Sequence, residues 1–308
     1  ILVPDKSGNL CDVVLGFDGI DGYLNANEGY HGATIGRFAN RIAEGRFTLD
    51  EQSYTLAQNN GPNSLHGGPT GFHNRIWDRQ VSFKKIVDFY LVSEDGEEGF
   101  PGKLNVHVSY ELTDQNEIII KYKADTDKTT VINFTNHSFF NLNGEGNGDV
   151  LSHLIHIPAT SYLPVDAKLI PLGAAESVKN TPFDFTIPKK ISQDIGAADE
   201  QLEIGSGYDH NYINTTALSQ AAATAHSESS GIVMEVFTTE PGIQFYAGNF
   251  LDGSDIGKSG KKYIKHSGFC LETQHYPDSP NQLQFPSVRL SPGESFISQT
   301  TYKFSVCK

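Results

Sequence analysis

Five stretches of the chain break runs of apolar or alternating residues with glycine, histidine, amides and carboxylates, and each could do chemistry. In Gly36-Arg37-Phe38-Ala39-Asn40-Arg41-Ile42, a guanidinium offers a planar fork that matches vicinal hydroxyls or a carboxylate, or else pairs structurally with an acid. In Asn63-Ser64-Leu65-His66-Gly67-Gly68, two glycines after His66 let a ligand approach the ring, although a turn histidine without a role reads the same way. His137 stands in an aromatic and amide-rich strand end, Asn133 to Leu142. Burial would lower its pKa and a nearby carboxylate would raise it, so it is either an acid working near neutral pH or a satisfied core histidine. Asp209, in Gly207-Tyr208-Asp209-His210-Asn211-Tyr212, can accept hydrogen bonds from hydroxyls or close an Asx turn. Glu272 ends an apolar run, Gly268-Phe269-Cys270-Leu271, where a carboxylate must be paired or serve a purpose because burying it alone is costly.

The elements that must hold these residues are strands. Residues 104–112 and parts of 117–124 and 296–306 alternate apolar and polar, as expected where successive side chains point to opposite faces of a half-buried sheet. Turn chemistry separates the runs at Asp95-Gly96, Phe100-Pro101-Gly102, Glu240-Pro241-Gly242 and Ser291-Pro292-Gly293. Helical signals are few: residues 216–225 read equally as helix or loop, and a short turn is expected near 194–202. No linker or fixed-period repeat divides the chain. The expectation is therefore an all-β fold, one large antiparallel domain over residues 1–308 built as two packed sheets or a barrel, with few short helices.

Composition narrows the function classes. With 37 acidic against 23 basic residues the formal net charge is −14, which disfavours nucleic acid, anionic lipid and strongly anionic substrates. No run of about 18 apolar residues exists, so no membrane span is expected. Three widely spaced cysteines, Cys11, Cys270 and Cys307, suit neither a disulfide framework nor a zinc site and favour a reducing, cytoplasmic setting. The sequons at Asn133, Asn136 and Asn214 would matter only in a secreted protein; the chain begins at Ile1 without a methionine, a start that leaves room for a removed leader. His153 and His156 sit three apart in an expected strand, on opposite faces, and make a poor metal pair. There is no GxGxxG, no phosphate-binding loop and no ligand-spaced His/Cys cluster.

Taken together and in order, these stretches resemble the aldose 1-epimerase (galactose mutarotase) family. The matches are Gly32-Ala33-Thr34-Ile35-Gly36-Arg37 running into Asn40-Arg41-Ile42, then Leu65-His66-Gly67-Gly68, Thr135-Asn136-His137-Ser138 and Tyr208-Asp209-His210-Asn211. Gln244-Phe245-Tyr246 before Gly248-Asn249-Phe250, and Leu271-Glu272-Thr273-Gln274, complete a series that spans nearly the whole chain. The resemblance implies a large antiparallel β-sandwich, the many-stranded supersandwich of galactose mutarotases, with its site in an open cleft on one sheet. It implies His137 as general acid and Glu272 as general base, with Asn40, Arg41, His66, Asp209 and Gln244 binding the sugar. It implies no cofactor and no metal. Ala247 replaces a frequent Thr, and Phe139-Phe140 a pair that usually contains Tyr or Trp. The family's N-terminal hairpin is missing ahead of Ile1, so a longer natural chain is expected; fusion to a UDP-galactose 4-epimerase domain, found in some relatives, is compatible with that.

The implied chemistry needs little machinery. An aldose changes anomer by opening its hemiacetal to the aldehyde, rotating about C1–C2 and closing on the other face. Opening takes a proton from the C1 hydroxyl and gives one to the ring oxygen, so one base and one acid on either side of C1–O5 suffice. A carboxylate ionised at rest and an imidazole protonated at rest are expected, each favouring the other. Arg, Asn, Asp, His and Gln suit the hydroxyls of galactose or glucose, and Tyr246 and Phe245 are candidates to cover the apolar face of the ring. A hexose 6-phosphate substrate would need further cations, and the chain has six arginines, of which Arg37 and Arg41 fall in the matched motifs. A glycosidase using Glu272 with Asp209 would leave His137 idle. A non-catalytic sugar-binding protein would not need both His137 and Glu272.

Overall fold

The structure is a computed structural model and describes residues 1–27, 29–83 and 85–307. Two antiparallel sheets dominate it. The larger has nine strands in the order Lys189–Lys190, Leu154–His156, Ala223–His226, Ile232–Thr238, Phe296–Val306, Glu117–Thr126, Leu104–Leu112, Ile86–Ser93, Asp78–Phe83. The smaller has five: Glu176–Ser177, Ser161–Leu163, Asp209–Ile213, Gly242–Tyr246 and Cys270–Gln274. Short two-stranded ribbons, mostly from the N-terminal half and including Thr34–Ile35 paired with Thr135–Asn136 and Arg41–Ile42 paired with Ser64–Leu65, complete the strand inventory of the described residues.

Alternation placed the long strands correctly. Along Leu104–Leu112, Leu104, Val106 and Val108 are buried while Asn105 is exposed. These residues join Ile120, Tyr122, Val236 and Tyr302 of the large sheet and Tyr212, Ile243, Phe245 and Leu271 of the small one in a single apolar core, so the sheets pack face to face. Each such side chain, once buried, contributes about 1.5–3 kcal/mol. Across the interface the Tyr302 hydroxyl donates to the Leu271 carbonyl at 3.3 Å, and Thr273 meets Thr300.

The small sheet differs in that its other face is covered too. Every residue of Gly242–Tyr246 and Cys270–Gln274 is buried. Ile243, Phe245 and Leu271 enter the apolar core, whereas Gln244, Tyr246, Cys270, Glu272 and Gln274 alternate onto the opposite face. Polar side chains buried on a strand face need partners there, and it is on this face that the candidate site lies.

Two short α-helices, Ile20–Leu24 and Glu200–Gly205, occur among the described residues, the second overlapping only the end of the turn expected near 194–202 and capped by the Asp199 carboxylate. Residues 216–225 form no helix: turn and loop lead into the strand Ala223–His226. Gly96, Gly102 and Gly293 hold the positive φ that their turns demand, but Gly242 does not and opens a strand instead. Asn133 and Asn136 are buried, with side-chain amides donating to the carbonyls of Ala39, His275 and Gly32, so neither has room for a glycan in the fold.

Candidate active site

Asn40 and His66 are set by backbone geometry. Both have positive φ, 64° and 53°, which Asn tolerates better than most residues. Gly67 behind His66 packs so closely on Gly36 that a Cβ would come within 2.0 Å of the Gly36 carbonyl oxygen. The two residues lock together: the Asn40 amide donates to His66 Nδ1 at 3.2 Å and the His66 amide to the Asn40 carbonyl at 3.2 Å. Nδ1 thus accepts, and the neutral ring presents Nε2–H. Arg41 follows in the ribbon opposite Leu65, its Nε–H donating to Asn60 Oδ1 at 3.0 Å, which fixes the guanidinium plane.

His137 leaves the ribbon Thr135–Asn136 clamped on both sides, its amide donating to Ala33 and its carbonyl accepting from Gly32. Its Nδ1 lies 3.7 Å from Cys270 Sγ and its Nε2 lies 3.7 Å from Glu272 Oε1. Glu272 and Cys270 share one face of their strand, so a single strand presents both groups to the ring. Asp209 comes from the strand Asp209–Ile213, where its Oδ1 accepts from Gln244 Nε2 at 2.7 Å.

These residues meet in one open cleft. Its walls are Tyr30, Asn40, Arg41, Leu65, His66, His137, Asp209, Tyr246, Phe250 and Glu272. Six of the seven residues singled out in the sequence line it. Gln244 does not; it stands behind Asp209 and holds that carboxylate. Phe245 points into the apolar core, so of the two aromatic candidates only Tyr246 faces the cleft. Arg37 is buried elsewhere, its guanidinium bonded to the carbonyls of Pro101 (2.8 Å) and Gly102 (2.7 Å) and to the Ser93 hydroxyl (2.6 Å). Glu272 faces an imidazole rather than an arginine. Tyr30 escaped sequence reading, and Leu65 and Phe250 lay inside matched stretches without being singled out. The Tyr30 ring contacts those of His66, His73 and His137 at 4.6, 4.8 and 5.5 Å, an arrangement between segments far apart in the chain that no local pattern announces.

Burial sets the electrostatics. It pushes the His137 imidazole down to about 3 and His66 well below its ordinary range, the latter helped by His137 and Arg41 nearby. The expected resting imidazolium is therefore not the form the cleft favours: burial penalises the cation, and His31 and His73 nearby disfavour it further. Burial raises Asp209, opposed by Arg41 and by the Gln244 hydrogen bond.

One ligand atom each from His66, His137 and Glu272 fall within 4.8 Å of one another, close enough to surround a divalent cation. The Asn40 N–H argues against that use. A metal on His66 Nε2 requires the proton on Nδ1, which would then face the Asn40 N–H instead of accepting from it. The set fits hydroxyl groups better than a metal.

Neutral burial of histidine has a consequence for stability. His31 and His153 are pushed down to about 4 and His137 and His210 to about 3, all from 6.5. The unfolded chain then binds more protons than the folded one between pH 6.5 and about 3, so stability is full above 6.5 and is lost as pH falls. At pH 4.5 each such site costs up to about 2.7 kcal/mol. Urea unfolding at pH 7 and pH 4.5 should show a clearly lower midpoint at the acid pH; equal midpoints would contradict neutral burial.

The packed sheets thus carry, in one cleft lined by Asn40, Arg41, His66 and Asp209, an imidazole and a carboxyl group 3.7 Å apart. The chain belongs to the aldose 1-epimerase family, whose model matches residues 1–303. It is 49% identical over 305 residues to galactose mutarotase of Bos taurus, covering 99% of this chain and 87% of that one. It is 40% identical over 306 residues to aldose 1-epimerase of Escherichia coli K12, with coverage of 98% and 87%. Among solved structures, a GalM/aldose epimerase homologue from C. elegans superposes with a TM-score of 0.91 at 33% identity, covering 100% of this chain and 92% of that one. The chain is thus a carbohydrate isomerase with aldose 1-epimerase activity.

Proposed function

We propose that the enzyme interconverts the anomers of free aldohexoses such as galactose and glucose, with His137 and Glu272 trading protons across C1–O5. The observation that carries this reading is their 3.7 Å approach within one open cleft lined by polar side chains. The pair shares one proton; when it sits on the imidazole, the His137 imidazolium gives it from Nε2 to the ring oxygen while the Glu272 carboxylate takes the C1 hydroxyl proton. The aldehyde then faces a neutral imidazole and a protonated carboxyl group. Burial favours the neutral imidazole, so the desolvation that lowers the His137 pKa also stabilises the ring-opened state. After rotation about C1–C2 both transfers run backward on the other face. Asn40, Arg41, His66 and Asp209 bind the hydroxyls, and Gln244 acts by positioning Asp209. We further propose that residues 1–308 act as one catalytic unit, since both sheets share one core, and that the protein works in the cytoplasm, in keeping with three free cysteines. Among the described residues no helix is long and apolar enough to cross a membrane.

The cleft offers one guanidinium, Arg41, and Arg37 is committed elsewhere, which favours an uncharged sugar over a phosphorylated one. Polarimetry on freshly dissolved α-D-galactose should show accelerated rotation change, with kcat/KM for galactose 6-phosphate lower by about tenfold or more. A preference for the phosphate ester, or no acceleration with any free aldohexose, would overturn the reading.

A further inference from the structure

We infer that the sheet face beneath the cleft binds one ordered water through Asn211, Gln244 and Gln274, and that this water holds the Asp209 carboxylate in place by fixing the Gln244 amide. The inference rests on the reading of Asp209 as a sugar ligand.

The three amides surround Gly242. Asn211 lies directly opposite Gln244, and Gly242 directly opposite Gln274, while Gln244 follows two residues after Gly242 on the same face. The glycine is needed here for room: a Cβ on it would stand 2.6 Å from Asn211 Oδ1 and 2.9 Å from Asn211 Nδ2. This explains why the Glu240-Pro241-Gly242 stretch carries a glycine although its φ is not positive.

All three amides are almost fully buried, with exposures of 2% for Asn211, 3% for Gln244 and 0% for Gln274. Asn211 Nδ2 donates to the Tyr212 carbonyl and Gln244 Nε2 to Asp209, but Asn211 Oδ1, Gln244 Oε1 and both polar atoms of Gln274 have no partner among the described residues. That is three acceptors and one two-proton donor around a single glycine. Leaving such a group bare inside the fold is costly. A water donates twice and accepts up to twice, so it can accept from Gln274 Nε2 and donate to two of the carbonyl oxygens.

The functional weight falls on Gln244. Its amide has two orientations of nearly equal shape. With Nε2 toward Asp209 it donates at 2.7 Å; rotated, it would set Oε1 against the carboxylate. A water that donates to Oε1 selects the first orientation. Asn211 and Gln274, which do not line the cleft, are then positioning residues acting through the water and Gln244.

Gln274→Met keeps length and removes both amide atoms. It should raise KM for galactose about 3- to 10-fold, the value of one neutral hydrogen bond, and leave kcat within about twofold because His137 and Glu272 are untouched. Adding it to Gln244→Met should raise KM no further than Gln244→Met alone, since both act through one bond. A fall in kcat at constant KM, or additive KM changes, overturns the inference. A high-resolution crystal structure of the unmodified enzyme tests the water without any variant: density bonded to the three amides supports it, and amides paired directly with one another overturn it. Should the water be present while Asp209→Asn leaves KM unchanged, the sugar-binding role of Asp209 fails, and with it the functional half of the inference.

Discussion

Glu272→Gln is expected to lower kcat for α-D-galactose by about 10²–10⁴-fold, the usual value of one well-placed acid or base. The change is nearly isosteric, so the buried strand Cys270–Gln274 keeps its packing and the cleft its shape. What disappears is a group able to accept and return the C1 hydroxyl proton. Asp209, the other carboxylate lining the cleft among the described residues, does not take over because it belongs to a different strand and is engaged by Gln244. Since the amide still bonds hydroxyl groups, KM should stay within about threefold, the split that marks an interaction made in the transition state. Polarimetry gives both constants. A variant that keeps more than half of the wild-type kcat would remove Glu272 from the proton-transfer role.

How much of this was readable in the residues depends on range. Leu104–Leu112 and Phe296–Val306 announced themselves because one face meets the core and the other meets water, so burial writes itself as alternation. Cys270–Gln274 carries no such contrast, because both its faces are buried. There the informative signal is polar residues at every second position, Glu272 and Gln274, on a strand with no solvent to face. The collinear motifs brought His137, Glu272, Asn40, Arg41, His66 and Asp209 to notice, and the structure brings all six together. Motif matching could not separate Arg37 from Arg41, four residues apart, because the difference lies in where each guanidinium ends: among carbonyls near Gly102 or beside Asn60 at the cleft. Nor could it show that Gln244 stands behind Asp209 or that Tyr30 packs on three imidazoles, since those facts depend on contacts between segments that meet only in the fold.

His137→Asn should lower kcat by about 10²–10⁴-fold as well, and combining it with Glu272→Gln should cost little more than either change alone. The reason is that neither residue works singly: each transfer to the ring oxygen is matched by one from the C1 hydroxyl, so removing one partner idles the other. Multiplicative losses in the double variant would mean two independent contributions and would contradict the shared proton. A second readout separates the role of the imidazole from its packing. His137 is buried neutral with its pKa pushed from 6.5 to about 3, so in the wild type it contributes stability that is present above pH 6.5 and drains away as pH falls toward 3. Asparagine does not titrate there. The loss of unfolding free energy between pH 7 and pH 4.5 should therefore shrink by up to about 2.7 kcal/mol in His137→Asn. If the variant lost as much as the wild type, the imidazole would already be charged in the fold. The ring-opened state would then gain nothing from the burial that surrounds it.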